Sequence, residues 1–375
     1  MPPLPCKILR IISVVSILVG LPLIGIVIAG VRLGPYLQFP PLTRYVAHAP
    51  FNAAAFGFIC LLDVGMIAGV LLLFKRSAVL HENPRQKQNR AFPVWGWMGM
   101  VIMIAGWVLA WTRFAWFAPL QEHTFCIPWV GYILCVNALC VQRSGRSLMT
   151  DAPVRFWILF PASALFWWYF EYLNRFVQNW YYVGVENYGP LGYILLASLA
   201  FATVLPAVLS TYRLMLTFPV FNSRLSAVCP IRLPDGRLPA ALCFLATAGG
   251  LAFIGIFPDY LYPLVWFAPL LVITSLQALG NRPTLFSAIR HGDWRKIISS
   301  AVAALICGFF WEMWNFYSLS RWEYAVPYVD RFHIFAMPLL GYGGYPPFGL
   351  ECLVIGQAII GKYLKPVQHG AVPRV

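Results

Sequence analysis

Long apolar runs separated by short polar connections make up most of this sequence. A helix that crosses a bilayer needs roughly 20 predominantly apolar residues, and ten segments are long or apolar enough. They cover residues 8–31, 52–74, 94–114, 126–142, 156–176, 189–212, 239–257, 260–279, 297–317 and 345–364. The first exceeds the apolar core of about 7–15 residues found in signal peptides, so we expect a retained helix. The pattern predicts an all-α, polytopic transmembrane helix bundle of about ten spans.

The composition supports this class. Hydrophobic residues make up 60% of the 375 residues, charged residues 11%, and the mean hydropathy is +0.71. A soluble protein needs roughly a quarter of its residues charged to cover its surface. The composition therefore excludes a soluble protein and indicates an integral membrane protein.

The positive charge of the chain indicates its orientation. The formal net charge is +14, but the basic residues lie in short clusters between apolar runs, so we expect no nucleic-acid partner. With the N-terminus inside, ten spans leave only six of the 27 Lys and Arg residues outside: Arg32, Arg44, Arg113, Arg175, Arg321 and Arg331. An excess of Lys and Arg marks the cytoplasmic side. We expect a plasma (inner) membrane protein with both termini cytoplasmic and a basic inner loop at 75–90.

The last eight predicted spans contain an internal repeat. "WVGYILCVNALCVQRSGRSLM" from Trp129 aligns with "WFAPLLVITSLQALGNRPTLF" from Trp266, and "FEYLNRF" at 170–176 aligns with "WEMWNFY" at 311–317. Four spans in each copy, an even number, give both copies the same orientation and hence a parallel repeat. The predicted domains are 1–93 with two helices and the basic loop, 94–236 with the first four-helix repeat, and 237–375 with the second repeat and the tail.

Polar residues recur at equivalent points of the two repeats. Glu312 and Asn315 are three residues apart and share one helix face, as do Glu171 and Asn174. Glu351 is predicted at similar depth in the last span. A charged side chain deep in a membrane helix costs roughly 2.5–3.5 kcal/mol on insertion scales, so these positions are candidates for an outer-side pocket. Glu312, Glu351 and Glu171 are the candidate catalytic acids.

The other candidates are ligand-binding residues. They are Asn315, Asn174, Arg175, Trp322, Tyr324, Trp180, Tyr182 and Asp63. Each has an alternative interpretation. The glutamates could form buried pairs with Arg175, Arg321 or Arg331, and the aromatic residues could belong to an interfacial belt. Asp63 is either protonated and hydrogen-bonded or part of an ion path, with Gly65 and Gly69 allowing close helix packing. No His pair has metal-ligand spacing, and we expect no metal and no cofactor.

The order Trp-x-Tyr, a short connection and Pro-Leu occurs once in each half. The residues are Trp180, Tyr182, Pro190 and Leu191, and then Trp322, Tyr324, Pro338 and Leu339. This order resembles the repeated membrane domain of lycopene cyclases, whose members often carry two copies in one chain. In that family paired acidic residues follow the proline. Here Leu-Gly-Tyr and Leu-Leu-Gly follow it, so the family's catalytic acids are not carried over. The resemblance implies hydrophobic, isoprenoid-like substrates.

The sequence therefore predicts an intramembrane polar pocket on the outer side. Its occupant is expected to be a membrane lipid or small hydrophobic ligand, bound or converted by carboxylate acid/base chemistry. Two alternatives stay open: a proton- or cation-coupled secondary transporter, which parallel repeats also suit, and a structural membrane scaffold. Whether the chain is an enzyme and how it oligomerises are left open.

Overall fold

The computed structural model describes residues 4–41, 43–77, 90–234 and 236–366. Eleven helices of twelve residues or more form its framework within these ranges. They are α1 (Leu4–Ile28), α2 (Ala53–Arg76), α3 (Val94–Trp111), α4 (Cys126–Ser144), α5 (Pro153–Val177), α6 (Pro190–Phe201), α7 (Val204–Met215), α8 (Arg237–Phe253), α9 (Ala268–Leu279), α10 (Arg295–Phe316) and α11 (Tyr345–Ile360). Most of the predicted basic loop at 75–90, and the end of the tail from 367, lie outside the described residues.

Short helical turns and two small β-ladders connect these helices. The one-turn α-helices are Gly34–Leu37, Leu148–Asp151, Pro219–Asn222 and Pro258–Leu261. The 3-10 segments are Ala115–His123, Arg224–Ser226, Tyr262–Trp266, Leu285–His291, Leu339–Gly344 and Gly361–Tyr363. The strands are β1 (Trp180–Val183), β2 (Arg321–Tyr324), β3 (His333–Ile334) and β4 (Met337–Pro338).

Six helical segments of the described chain are long and apolar enough to span a membrane. They are Leu9–Ile28, Ala53–Arg76, Val94–Trp111, Cys126–Ser144, Pro190–Met215 and Arg295–Phe316. The pair Pro258–Trp266 and Ala268–Leu279, bent by 62°, would make a seventh. The remaining predicted spans are also helical, but α8 has 17 residues and α11 has 16, and α5 carries Glu171, Asn174 and Arg175. The predicted helical class is confirmed, and the count of about ten crossings stays a prediction.

The distribution of apolar side chains is that of a protein in lipid. Helix α2 has no buried residue, and Leu61 and Leu71 on it are 73% and 61% exposed. In water such a surface would be strongly unfavourable, because each Å² of exposed apolar area costs about 25 cal/mol. The buried core instead lies between α4, α5, α7, α10 and α11, where Trp129 of α4 packs on Trp311 and Trp314 of α10.

Small residues allow close approach in two helix pairs. A Cβ at Gly131 of α4 would lie 2.4 Å from the Met103 nitrogen of α3, and one at Gly349 of α11 would lie 2.2 Å from the Ser300 oxygen of α10. Such contacts need glycine at the interface. The expectation for Gly65 and Gly69 is wrong, because nothing described lies within 4 Å of a Cβ at either position.

The ladder between β1 and β2 joins the two halves of the chain. The strands are antiparallel, with Trp180 opposite Tyr324, Tyr181 opposite Glu323 and Tyr182 opposite Trp322. The two Trp-x-Tyr sequences therefore face each other directly. Each strand follows closely after the helix that carries the corresponding glutamate, which brings both candidate sites to one end of the bundle.

Candidate functional site

Glu171 of α5 is completely buried and accepts three hydrogen bonds on one oxygen. The indole nitrogens of Trp167 and Trp180 donate to Oε1 at 3.0 and 3.1 Å, and the Tyr182 hydroxyl donates at 2.7 Å. Trp167 lies one helical turn before Glu171, whereas Trp180 and Tyr182 come from β1. The Trp-x-Tyr alternation places both side chains on the same face of the strand, so both reach one carboxylate.

Glu312 of α10 has an equivalent position with different partners. It is also completely buried, and its Oε1 accepts from the hydroxyls of Tyr324 and Tyr345, each at 2.7 Å. The Trp322 indole donates to the Tyr324 hydroxyl at 2.7 Å. Strand β2 thus provides a tyrosine donor to Glu312, as β1 does to Glu171. The second donor to Glu312, Tyr345, lies in the first turn of α11.

The two asparagines hold the strands. Asn315 donates to the Trp322 carbonyl at 2.7 Å and accepts from the Trp322 amide at 2.9 Å. Asn174 donates to the Trp180 carbonyl at 2.7 Å and accepts from the backbone amides of Asn179 and Trp180. Both amide groups are fully buried, and these hydrogen bonds are all to backbone atoms. Their position is that of clamps that fix the register of each Trp-x-Tyr strand.

A cavity of about 220 Å³ lies between the two halves. Glu312 is on its wall, together with the predicted residues Trp180, Tyr182, Trp322 and Tyr324. Twelve of the 27 lining residues are aromatic: Phe125, Trp167, Trp180, Tyr182, Tyr188, Tyr193, Phe201, Trp266, Trp311, Trp322, Tyr324 and Tyr345. Glu122, His123, Ser320 and Arg321 complete one edge. The structure therefore places an apolar, aromatic space against one buried carboxylate.

Most polar atoms of these aromatic side chains are engaged in hydrogen bonds. The indole nitrogens of Trp167, Trp180 and Trp322 and the hydroxyls of Tyr182 and Tyr324 all donate to the two carboxylate groups or to each other. Burial, together with the negative Glu171 beside it, raises the pKa of the Tyr182 hydroxyl well above its ordinary value. Burial and Glu312 raise the pKa of Tyr324 in the same way. Both hydroxyls therefore stay protonated and act as donors.

One oxygen of each glutamate has no hydrogen-bond partner. These are Oε2 of Glu171, Glu312 and Glu351, all inaccessible to solvent. Buried polar atoms are normally paired, so an unpaired carboxyl oxygen is a natural position for a proton or for a ligand group. The described ion pairs involve none of these three glutamates. The alternative of pairing with Arg175, Arg321 or Arg331 is therefore not what the structure contains.

The remaining candidates lie outside the cavity wall. Glu351 of α11 is buried and its Oε1 accepts from the Leu270 amide at 3.3 Å. Arg175 donates to the Tyr36 carbonyl and lies over the Tyr172 ring. Asp63 is partly buried, and a Cβ at Gly343 would lie 2.8 Å from its Oδ1. Glu171 is behind the wall, bonded to three side chains that line it. The structure thus brings together Glu312 and the two Trp-Tyr pairs, and separates Glu351, Asp63 and Arg175 from them.

Sequence reasoning did not identify several wall residues. In the sequence, Trp266 and Trp311 stand out only as members of repeated segments, and Trp167 and Tyr345 carry no repeat or spacing pattern of their own. A signal for Tyr345 existed, because "MPLLGYGGYPPFG" is a poor regular helix and such backbone is tolerated only against protein or a wet cavity. Met337, Gly341, Gly344 and Tyr345 of this stretch do line the cavity. In the described part of the chain, no three His, Cys, Asp or Glu side chains are grouped to hold a metal ion.

No family model, no curated protein and no solved structure matches this chain.

Proposed function

We propose that this chain is a membrane protein that binds an amphiphilic lipid, of the isoprenoid or a related class, in the aromatic cavity between its two halves. The observation that carries the proposal is the position of Glu312. It is a buried carboxylate with one unpaired oxygen, at the wall of an otherwise apolar and aromatic space. Apolar cavities with one or a few placed polar groups are the usual form of small-molecule sites.

The cavity borders the lipid-facing side of the bundle, which supports a ligand taken from the bilayer. Leu196, Ala197 and Ala200 of α6 line it, whereas Leu199 on the same helix is both a lining residue and 60% exposed. An amphiphile could therefore keep its tail along α6 while its polar part reaches inward. The Trp-x-Tyr resemblance to the lycopene cyclase membrane domain supports an isoprenoid as the ligand class.

Glu312 is the group suited to chemistry at this site. As a carboxylic acid it would protonate a double bond of the bound lipid, which forms a C–H bond and leaves a carbocation and a carboxylate. The surrounding aromatic rings stabilise such a charge. A carbon next to the cationic centre would then lose a proton to the carboxylate, which forms a new double bond and restores the acid. The product would be an isomerised or cyclised lipid, with no other reactant consumed. Proton transfer by a positioned side chain typically contributes 10²–10⁴-fold in rate.

The symmetric ladder supports the duplicated architecture. With an offset of 142 residues, Tyr181 corresponds to Glu323, Trp180 to Trp322 and Tyr182 to Tyr324. The observed pairs are Tyr181 with Glu323, Trp180 with Tyr324 and Tyr182 with Trp322. Replacing each residue by its equivalent converts the Trp180–Tyr324 pair into the Trp322–Tyr182 pair and leaves the Tyr181–Glu323 pair unchanged. A twofold axis between Tyr181 and Glu323 would produce this pattern. We therefore propose two N-terminal helices followed by two four-helix repeats, with about ten spans and both termini cytoplasmic.

Glu312→Gln and Glu171→Gln test this assignment as a matched pair. Both substitutions keep side-chain volume at fully buried positions that accept tyrosine hydroxyls, but only Glu312 lies on the cavity wall. Lipid that copurifies with each variant is extracted, identified by mass spectrometry and quantified per mole of protein. We expect Glu312→Gln to reduce the bound lipid at least ~10-fold and to abolish any conversion of it. Glu171→Gln should retain the lipid.

The outcome that opposes the proposal is equally clear. Equal lipid content in the two variants and the unaltered protein would show that the carboxylate does not face the ligand. If both variants instead fail to fold to the same extent, the glutamates are structural anchors, because removal of a buried hydrogen-bonding partner alone destabilises strongly.

A further inference from the structure

We propose that the group entering the aromatic cavity carries a positive charge, as an alkylammonium does. This inference rests on the proposed function and specifies the ligand class of that same site. It is carried by the electrostatics of the wall, which combines aromatic rings with a buried carboxylate that forms no ion pair with the described part of the chain.

The rings are made electron-rich by their hydrogen bonds. Tyr324 and Tyr345 donate their hydroxyls to Glu312, and Tyr182 donates to Glu171, all at 2.7 Å. A phenol that donates to a carboxylate transfers electron density into its ring, so the negative potential of the ring face increases. Three wall tyrosines are polarised in this way, and ring faces attract cations within about 6 Å of the centroid.

The indoles reinforce this effect. Trp167, Trp180 and Trp322 commit their N–H groups to Glu171 or to Tyr324. Their positive N–H edges are therefore already engaged, and the surface that the wall exposes to the cavity is mostly carbon. Tryptophan is the most effective of the aromatic side chains in binding cations.

Glu312 supplies the matching charge. No described Lys, Arg or His forms an ion pair with it, and its Oε2 is buried without a partner. A buried carboxylate without a counter-ion is unfavourable, so Glu312 holds a proton when no cation is bound, and this is the form that acts as an acid. A bound cation displaces that proton to solution and supplies the charge that pairs with the carboxylate. Arg321 lies on the wall but is already paired with Glu323 at 2.7 Å, so it does not neutralise Glu312.

A cation without N–H groups suits this wall best. Apart from Glu312, the wall exposes mostly ring and aliphatic carbon, which offers no hydrogen-bond acceptor to an N–H group. A quaternary ammonium group needs no hydrogen-bond acceptor and binds through ring faces and net charge. Such a group could come from a lipid headgroup or from a free small molecule, and the experiment separates these two sources.

The test compares a cation with its neutral isostere. Choline and 3,3-dimethylbutan-1-ol have the same shape and differ in the charged atom. Their binding to the full chain in nanodiscs of uncharged lipid is measured by calorimetry, for the unaltered protein, Glu312→Gln and Glu171→Gln. We expect choline to bind at least ~10-fold more tightly than the alcohol. Glu312→Gln should bring this ratio close to one, and Glu171→Gln should keep it above that of Glu312→Gln.

A second arm identifies the source of the cation. Dodecyltrimethylammonium, below its micellar concentration, is compared with an uncharged dodecyl glycol ether. If the protein prefers dodecyltrimethylammonium to the glycol ether but does not prefer choline to its alcohol, the source is a lipid headgroup. If it already prefers choline to the alcohol, the source is a small molecule. Both results support the inference. Equal binding of charged and uncharged members in both arms overturns it, while the proposed lipid site stands on the copurification result. Because the readout is a ratio, a variant that merely folds less well does not mimic the expected change.

Discussion

Replacing Asn174 or Asn315 by alanine tests whether these residues clamp the strands or address the ligand. Asn174→Ala leaves the Trp180 carbonyl and the amides of Asn179 and Trp180 without their side-chain partner. Asn315→Ala removes two such bonds, both to Trp322. A buried polar group left unsatisfied costs about 1–3 kcal/mol. Trp180 is only 4% exposed, whereas Trp322 is partly accessible, so water can replace more of the loss in the second variant.

We therefore expect a loss of about 3 kcal/mol or more in the free energy of unfolding for Asn174→Ala and about 2 kcal/mol for Asn315→Ala. The assay is thermal unfolding in detergent, followed by intrinsic fluorescence at one fixed scan rate, because irreversible unfolding makes Tm depend on that rate. Asn187→Ala, at an exposed position in the loop after β1, is the control and should leave Tm unchanged.

Unchanged Tm with lost lipid binding in the two clamp variants would refute this reasoning. The amides would then contact the ligand, as the sequence suggested, and the bonds to the strand backbone would contribute little to stability. A fall in Tm for Asn187→Ala similar to that of the clamp variants would also count against it, because the loss would then not depend on burial.

Two further predictions concern the packing and the topology. Gly308→Ala should lower stability by about 1–3 kcal/mol, because its Cβ would lie 2.5 Å from the Tyr345 ring; Gly249→Ala on α8, where nothing described lies within 4 Å, is the control, and equal Tm values would contradict the clash. In a background without native cysteines, Glu186→Cys should react with a membrane-impermeant maleimide in intact cells and Arg232→Cys should react only after lysis. The reverse labelling would invert the proposed orientation.

The general class and the helical segments could be predicted because they depend on hydrophobic length alone. All ten predicted spans overlap helices, and the shortest of them, 126–142, corresponds to the helix Cys126–Ser144. The number of crossings could not be settled in the same way. Helix α5 combines a 25-residue length with buried polar groups, and α11 begins only at Tyr345 after a 3-10 segment. Such elements are stable because protein surrounds them, and that environment is not encoded in local hydropathy.

The contacts of the candidate site could be predicted where they follow from the spacing of residues within one strand. Trp180 with Tyr182, and Trp322 with Tyr324, are two residues apart in strands, so each pair shares a face and reaches a glutamate. The contributions of Trp266 and Tyr345 depend on how distant helices pack, and no periodicity indicates them. The predicted depth of Glu351 in the membrane groups it with the other two glutamates. Depth does not specify which way a side chain points around its helix, and Glu351 contacts α9 instead.

The difference between the two glutamates originates one helical turn before each of them. At that position α5 has Trp167, whose indole fills the space beside Glu171 and donates to it. On α10 the corresponding residue is Gly308, which leaves room for the Tyr345 ring, since a Cβ there would lie 2.5 Å from that ring. Glu171 is thus enclosed by its own helix and strand, whereas Glu312 takes a donor from α11 and stays on the cavity wall. A single glycine therefore separates a carboxylate that anchors a strand from one that can meet a ligand.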